Sequence, residues 1–164
     1  MLEERKYVLS ILVDNEPGVL SRITGLFSGR GFNIDSLSVA ETDDAGISRV
    51  TLVTICSEPV IEQITKQLHK LINVITVHDL TGTDYVLREL ALIKVNARPE
   101  LRAEILRIVD IFRCKIVDVS LDHYMIEITG DEDKLKAILT LLAPMGIKEV
   151  ARTGSIALSR ESKR

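Results

Sequence analysis

Aromatic residues and excess positive charge are scarce in this sequence. It contains no Trp, three Tyr and three Phe, and its 21 Lys and Arg against 24 Asp and Glu give a net charge of −3. A broad nucleic-acid surface needs clustered cations and usually also aromatic rings on which bases stack. We therefore expect no nucleic-acid partner, and we interpret the basic C-terminal residues "SRESKR" as a solvated tail.

Cysteine and long apolar runs are scarce as well. The two cysteines, Cys56 and Cys114, lie in no CxxC motif and at no metal-ligand spacing from a histidine, which predicts reduced, buried thiols. No apolar run approaches the roughly 18–20 residues that cross a bilayer. The N-terminus "MLEERKYVL" lacks the basic, apolar and small-residue regions of a secretory signal. We expect a cytoplasmic protein that does not cross a membrane.

The sequence also lacks recognisable catalytic and metal-binding motifs. His69, His78 and His123 are far apart and form no HxH, HExxH or His/Cys motif. The glycines of Gly29–Gly31 end a predicted helix instead of opening one, so they predict a left-handed helix cap and not a phosphate loop. Thr129–Asp131 is typical of a helix N-cap, and no Ser/His/Asp or Cys/His arrangement has a context that favours nucleophilic catalysis. The sequence therefore predicts neither an enzyme nor a metal site.

What the sequence does contain is one order of elements, repeated. Strand-length apolar runs alternate with helical patterns in which apolar residues recur every three or four positions. In the first half the predicted strands are "YVLSILV", "GFNIDSLSVAETD", "ISRVTLVTIC" and "NVITVHDL", and the helices follow Pro17-Gly18 and Glu58-Pro59. In the second half the strands are "VLRELALIKV", "CKIVDVSL", "YMIEIT" and "IKEVARTGSIAL", with one helix from Pro99 and another in "GDEDKLKAILTLL". Each half therefore has the order βαββαβ.

The repeated order predicts a fold of the α+β class. A split βαββαβ unit is the ferredoxin-like sandwich, in which two helices cover one face of an antiparallel sheet. We predict two such sandwiches in tandem, one in residues 1–81 and the other in residues 82–164, joined near residues 81–85. The first strand is apolar on both faces, which predicts that another layer, from the other domain or from another chain, covers the face opposite the helices.

The stretch "VDNEPGVLSRI" joins the first strand to the first helix. A helix N-terminus presents unpaired backbone N–H groups and a partial positive charge, which together attract an anion. Because Gly18 leaves this backbone approachable, the N–H groups of Gly18, Val19 and Leu20 are candidates to hold a carboxylate. The Asn15 amide, a donor and an acceptor, is a candidate to orient the ligand. The alternative is a plain turn in which Asn15 caps the helix and Pro17 only steers the chain.

The second predicted strand, "FNIDSLSVA", lies at an edge of the sheet in this order of elements. It carries no Pro or Lys and is nearly uncharged at its centre, so it lacks the usual protection of an exposed edge. Two-fold pairing with a second copy is the commonest way to cover such an edge. Asn33 and Ile34 would then approach the helix start of the other chain, with an amide for a polar group and an alkyl group for an apolar tail. The expected ligand is a small molecule with a carboxylate and an apolar side chain.

These segments resemble a known family. "VDNEPGVLSRITGLFSGRGFNIDSLSVAETDD" is similar to an ACT domain, the amino-acid-sensing module, and more closely to that of the regulatory (small) subunit of acetolactate synthase, also called acetohydroxyacid synthase. "RELALIKV" and "EVARTGSIALSR" resemble the second domain of that family, so the similarity spans nearly the whole chain.

The resemblance implies a non-catalytic subunit of the biosynthesis of valine, leucine and isoleucine. It implies a homodimer, paired through the edge of the ACT sheet, that activates a catalytic large subunit and confers feedback inhibition by valine. Thiamine diphosphate, Mg and FAD are expected on that catalytic subunit, and no cofactor is expected on this chain. The effector residues that the resemblance implies are Asn15, Gly18, Val19 and Leu20 of one chain and Asn33 and Ile34 of the other.

Two alternatives belong to other functional classes. A free-standing ACT module that regulates transcription or another enzyme would need an attached helix-turn-helix or catalytic domain, and the sequence predicts neither. A small ferredoxin-like enzyme such as an acylphosphatase would need a glycine-rich anion loop with an Arg and a catalytic Asn. The cation nearest to the loop is Arg22, one turn into the helix and predicted to point outward.

Overall fold

The computed structural model describes residues 3–161 of the chain. Residues 162–164, the end of the segment predicted to be a solvated tail, lie outside the described part. The chain divides into two compact units. The first contains the residues up to Val86 together with those from Ser155 on, and the second contains Leu87–Gly154. No helix within residues 3–161 is long and apolar enough to cross a membrane.

The first unit contains the whole βαββαβ order predicted for the first half. Its strands form one antiparallel sheet in the order β2-β3-β1-β4, so β2 and β4 are the edges. The predicted ferredoxin-like fold is confirmed here, and β2 is an edge strand as predicted. The elements are β1 (Glu4–Asp14), α1 (Val19–Gly29), β2 (Ser36–Glu41), β3 (Ile47–Ser57), α2 (Glu58–Leu68) and β4 (Val74–Asp79).

Both helices of the first unit bury one apolar stripe. The stripe is Val19, Ile23 and Phe27 in α1, and Ile61, Ile64 and Leu68 in α2. A spacing of three or four residues places these side chains on one side of each helix. They pack on the sheet, where Leu9 and Ile11 of β1 and Leu52 of β3 are completely buried. The sandwich of helices and sheet therefore supplies the main core of this unit.

α1 ends as the Gly29–Gly31 motif predicts. Gly31 lies in the left-handed region at φ +69°, and Phe32 N–H donates to Phe27 O at 3.0 Å. The prediction that the next strand starts immediately after this cap is wrong, because β2 starts only at Ser36. The reason is packing: Phe32 and Ile34 lie half-buried against the helix-side core instead of extending along the sheet edge.

The C-terminal segment covers part of the sheet face opposite the helices. Val8 and Val53 pair in the β1–β3 register and are 1% and 3% exposed, although they lie outside the helix-side core. A last strand, β9 (Ile156–Ser159), contacts β1, and Ser155 N–H donates to Ser36 Oγ at 2.9 Å. Since Ser36 is the register partner of Val53, this bond ties the segment to the buried pair. The layer over this part of the face therefore comes from the chain itself.

The second unit repeats the same topology. Its strands have the order β6-β7-β5-β8, and the first two residues of β5 belong to the first unit. The second predicted ferredoxin-like fold is thus confirmed. The predicted cap at Asp131 is confirmed too, since its side chain accepts from Lys134 N–H at 2.9 Å. The elements are β5 (Tyr85–Asn96), α3 (Arg102–Ile111), β6 (Lys115–Val119), β7 (His123–Gly130), α4 (Glu132–Leu142), a 3-10 turn (Ala143–Met145) and β8 (Ile147–Arg152).

The C-terminal segment differs from its prediction. The single strand predicted over "IKEVARTGSIAL" is two strands, β8 and β9, because the chain turns between them. Gly154 lies in the left-handed region at φ +79°, and Thr153 N–H donates to Leu90 O at 3.0 Å. The second unit is consequently smaller than the predicted domain of residues 82–164, since the residues from Ser155 on join the first unit.

An ion pair joins β5 and β8 of the second unit. Arg152 Nη2 donates to Glu89 Oε2 at 2.9 Å while Arg152 Nε donates to Glu89 Oε1. Glu89 is 4% exposed, so this bidentate ion pair compensates the cost of burying its carboxylate. The hydrogen bond that Arg152 donates to the Glu89 carboxylate raises the pKa of Arg152, which therefore stays charged. The pair fixes β5 against β8, the edge strand of this sheet.

Replacing Ala157 by Asp tests the C-terminal layer. Ala157 is 4% exposed, whereas the adjacent Leu158 is 58% exposed. Because a buried carboxylate without a partner is costly, we expect Ala157→Asp to lower the free energy of unfolding by at least ~2 kcal/mol. Leu158→Asp, the control, should change it by less than ~0.5 kcal/mol. Hydrogen exchange of the β1 amides at increasing denaturant concentration measures the free energy of unfolding of both variants. Equal losses of stability in Ala157→Asp and Leu158→Asp would contradict the covering of this sheet face by the C-terminal segment.

Candidate ligand-binding site

The chain enters α1 through a left-handed glycine. Gly18 is the N-cap residue of α1, with φ +86° and ψ −8°. No atom lies within 4 Å of the position that a Cβ would take, so crowding does not require a glycine here. The backbone conformation does, because a residue with a Cβ is strained by roughly 1–2 kcal/mol in the left-handed region. Gly18 therefore sets the turn and leaves the helix start uncovered.

The first turn of α1 has backbone donors that no residue in the described range 3–161 uses. These are the N–H groups of Leu20 and Ser21. Together with the partial charge of the helix N-terminus they offer two donors to an anion. Val19 N–H, in contrast, already lies 3.4 Å from Glu16 O. Of the predicted carboxylate donors, the N–H groups of Gly18 and Leu20 therefore have no partner within residues 3–161, and the N–H group of Ser21, which was not predicted, is open as well.

Asn15 connects the loop to the β2–β3 turn. Its Nδ2 donates to Glu41 Oε1 at 3.1 Å and to Ala45 O at 2.9 Å, which also fixes the orientation of the amide. Its backbone N–H donates to Gly46 O at 2.9 Å. The alternative in which Asn15 caps the helix is therefore wrong, because α1 has no side-chain cap. Asn15 Oδ1 has no donor among residues 3–161 and remains an available acceptor beside the helix start.

The two predicted apolar residues of α1 have different environments. Val19 is 5% exposed and belongs to the helix-side core, so its side chain is not available to a ligand. Leu20 is 41% exposed on the outer side of the same turn. Leu20 can therefore contact an apolar ligand group, whereas the side chain of Val19 packs in the core and holds the start of α1 against the sheet.

Asn33 and Ile34 lie at the other end of β2. Asn33 Nδ2 donates to Asp35 Oδ1 at 3.1 Å, and Thr54 Oγ1 donates to Asn33 O at 2.7 Å, just before β2 starts. Asn15, in contrast, contacts Glu41, the last residue of β2. Within one chain, the structure therefore separates the two predicted groups of site residues by the length of this strand.

Asn73 is a residue of this site that the sequence analysis did not single out. It is 9% exposed and donates from Nδ2 to Asp14 Oδ2 and to Glu16 Oε2, each at 3.2 Å. Arg22 is exposed as predicted, but its Nη1 donates to Asn73 Oδ1. No local pattern identifies such a residue, because its partners are more than fifty positions away in the chain.

A Ser/His/Asp group that the sequence analysis did not expect lies in the β6–β7 turn. Ser120 Oγ is 2.8 Å from His123 Nδ1, and His123 Nε2 is 3.4 Å from Asp118 Oδ2. Ser120 Oγ also accepts the N–H groups of Asp122 and His123, so the hydroxyl is a turn cap rather than a free nucleophile. This geometry stabilises a hairpin and does not support acyl transfer.

The thiols and carboxylates of the described chain form no reactive or metal-binding group. Cys56 and Cys114 are both free, the first buried and the second half-buried. Burial raises the pKa of both thiols, which keeps them protonated at neutral pH. Within residues 3–161, no three His, Cys, Asp or Glu side chains are placed to share a metal ion.

Each half of the chain matches one protein-family model. Residues 9–76 match the family model described as "AHAS small subunit-like ACT domain", and residues 88–161 match the one described as "Small subunit of acetolactate synthase". The first match, on a ferredoxin-like unit with an open helix start, defines an ACT-domain protein.

The matched relatives extend over nearly the whole chain. The acetolactate synthase small subunit of Aquifex aeolicus is 55% identical over 96% of this chain and 82% of its own length. A probable acetolactate synthase small subunit of Archaeoglobus fulgidus is 50% identical over 97% of this chain and 99% of its own. The crystal structure of the small subunit from Thermotoga maritima has a TM-score of 0.88 at 42% identity, covering 96% of this chain and 99% of that one. The chain belongs to the family of acetolactate synthase small subunits, the non-catalytic, regulatory chains of that enzyme.

Substitution of Gly18 tests the left-handed entry into α1. Ala and Asn both add a Cβ in open space, but Asn adopts the left-handed region more readily. We expect Gly18→Ala to lower the free energy of unfolding by about 1 kcal/mol and Gly18→Asn by about half as much. Gly25→Ala is the matched control, since Gly25 lies inside α1 with equally open space and Ala favours helix there. If urea denaturation showed Gly18→Ala to be as well tolerated as Gly25→Ala, the turn would have another conformation in solution.

Proposed function

We propose that this chain binds valine at the start of α1 and, as a homodimer, both activates the catalytic large subunit of acetolactate synthase and mediates its feedback inhibition. One observation carries the proposal. The N–H groups of Leu20 and Ser21 and the Oδ1 atom of Asn15 have no partners within the described residues and lie on the same loop and helix start. An amino acid has a carboxylate for such N–H donors and an ammonium group for such an acceptor.

The surroundings of these atoms favour an apolar amino acid. Leu20, at 41% exposure, offers an alkyl surface beside the helix start. Gly18 has no side chain that would fill the space in front of the N–H groups. A branched aliphatic side chain can contact Leu20 while its backbone groups bind the loop. Leucine and isoleucine differ from valine by one methylene, which changes binding by only ~1–3 kcal/mol, so all three are candidates in a titration.

Pairing of two copies through β2 completes the proposed site. β2 ("SLSVAE") is an edge strand without Pro or Lys, and Val39 on it is 42% exposed. In a two-fold antiparallel pair, the start of one β2 lies beside the end of the other. Asn33 and Ile34 of the second copy would therefore lie near Asn15, which contacts the end of β2. This arrangement supports a site shared by both chains and accounts for the separation of the two residue groups within one chain.

The catalytic chemistry belongs to the other subunit in this proposal. Thiamine diphosphate, Mg and FAD are expected there, and this chain contributes binding and regulation alone. A free-standing ACT regulator of another enzyme is less well supported, because such a module would not account for the family match over residues 88–161.

Reconstitution with the catalytic subunit tests the proposed function. We expect the chain to raise acetolactate synthase activity and valine to lower it again, while calorimetric titration of the chain alone should show valine binding. Leucine and isoleucine in the same titration measure the selectivity of the site. A complex whose activity does not depend on the chain, or a chain that binds none of the three amino acids, would contradict the proposal.

Val39→Lys tests the pairing through β2. A Lys near the middle of an edge strand opposes pairing, and a two-fold axis would bring both new charges together. We expect the variant to be largely monomeric in analytical ultracentrifugation at concentrations at which the unmodified chain is a dimer. Val117→Lys is the matched control, because Val117 is 47% exposed on β6, the corresponding edge strand of the second unit. A Val39→Lys dimer as stable as the control would exclude pairing through β2.

Mixed dimers test whether each site uses both chains. A heterodimer of one Asn15→Ala chain and one Asn33→Ala chain would have one intact site and one doubly damaged site. We expect calorimetry to find half of the sites at normal valine affinity, the others being weakened at least about tenfold by the lost hydrogen bonds. The two homodimers are the controls and should have only weakened sites. Two equally weakened sites in the heterodimer would place both asparagines on the same chain's site.

A further inference from the structure

We propose that Asn73 is a positioning residue that keeps the start of α1 open for a ligand carboxylate, an inference that rests on the proposed function. Asn73 lies directly before β4 and is 9% exposed. It is therefore a largely buried residue whose polar groups all need partners. Those partners lie in the segment that leads from β1 into α1.

Asn73 joins three parts of that segment. Its backbone O accepts Asp14 N–H at 2.9 Å, at the end of β1. Its Nδ2 donates to the carboxylates of Asp14 and Glu16, each at 3.2 Å, and its Oδ1 accepts Nη1 of Arg22 in α1. The strand end, the loop and the helix are consequently held by one side chain.

The chemistry of these partners calls for an amide. Asp14 and Glu16 are carboxylates that need donors, whereas Arg22 is a guanidinium that needs an acceptor. An amide supplies both at once. Asp in this position would repel two carboxylates, and Ala would leave all three charged groups without this partner.

Glu16 links this network to ligand binding. It lies two residues before the N-cap Gly18, and a carboxylate is attracted to a helix N-terminus. A released Glu16 could accept from the free N–H groups of Leu20 and Ser21, as a capping side chain does, and would then compete with the carboxylate of the ligand. The bond from Asn73 Nδ2 draws the Glu16 carboxylate toward β4 and so removes this internal competitor.

Asn73→Ala in the full chain tests the positioning role, with valine as the ligand in a calorimetric titration. We expect the dissociation constant to rise about tenfold, as the loss of one or two hydrogen-bonded contacts would give. Asn96→Ala is the matched control, because Asn96 is a half-buried asparagine at the end of β5 in the second unit. An unchanged dissociation constant in Asn73→Ala would overturn the proposal.

A rescue experiment separates competition from a general loss of structure. Glu16→Gln removes the competing charge, so the double variant Asn73→Ala/Glu16→Gln should bind valine within about threefold of the unmodified chain. A merely structural role of Asn73 predicts the opposite, because the double variant has lost more contacts. A double variant that binds valine as weakly as Asn73→Ala alone would show that Glu16 does not compete with the ligand carboxylate, and would overturn the proposal.

Hydrogen exchange distinguishes failure of this inference from failure of the proposed function. In the free chain, amide exchange over residues 14–21 should be faster in Asn73→Ala than in the unmodified chain or in Asn96→Ala. If Asn73→Ala does not fold, Arg22→Gln disturbs the same network from an exposed position and should act in the same direction. If the unmodified chain binds no branched-chain amino acid, the proposed function is wrong. Hydrogen exchange over residues 14–21 then tests the positioning role of Asn73 by itself. Unchanged exchange over residues 14–21 would then overturn the positioning role.

Discussion

The antiparallel ladder between β1 and β3 is the constraint on which the first unit depends. It runs without a register shift from the pair Glu4/Ser57 to the pair Asp14/Ile47. A slip by one residue would exchange the two faces of β1 and turn Leu9 and Ile11 away from the helices. The same register places the end of β1 opposite the β2–β3 turn, so that Asn15 reaches Ala45. The ladder that builds the core thus also positions the candidate site.

Elements whose signals are local could be predicted from the sequence. The helices carry apolar stripes, Gly31 adopts the left-handed cap conformation, and Asp131 caps α4. Each of these features depends on residues a few positions apart, where backbone sterics and short-range hydrogen bonds decide the conformation. The edge position of β2 followed from the order of elements, because a split βαββαβ unit has one common strand arrangement.

Features that depend on distant contacts could not be predicted. The turn at Gly154 interrupts an apolar run that otherwise has the pattern of one strand, and the bond from Ser155 to Ser36 spans 119 positions. Asn15 was a candidate cap by its spacing, but its Nδ2 donates to Glu41 and Ala45, which holds the amide at the β2–β3 turn. Asn73 has no local signal at all, since every partner of its side chain lies in another part of the fold. For the candidate site, the sequence indicated the loop between β1 and α1. Only the structure shows that Glu16 O occupies the N–H group of Val19 and that the N–H group of Ser21 is open.

The second unit shows that the topology alone does not produce such a site. Its first helix, α3, follows β5 as α1 follows β1, yet its N-cap is Leu101 at φ −100° instead of a left-handed glycine. Arg102, the first residue of α3, donates from Nε to Ala97 O and from Nη2 to Leu121 O, both at 2.9 Å. A guanidinium therefore occupies the loop at this helix start, bound to carbonyl groups of its own unit. The left-handed glycine entry and the Asn73 network are thus properties of particular residues of the first unit, on a fold that the chain uses twice.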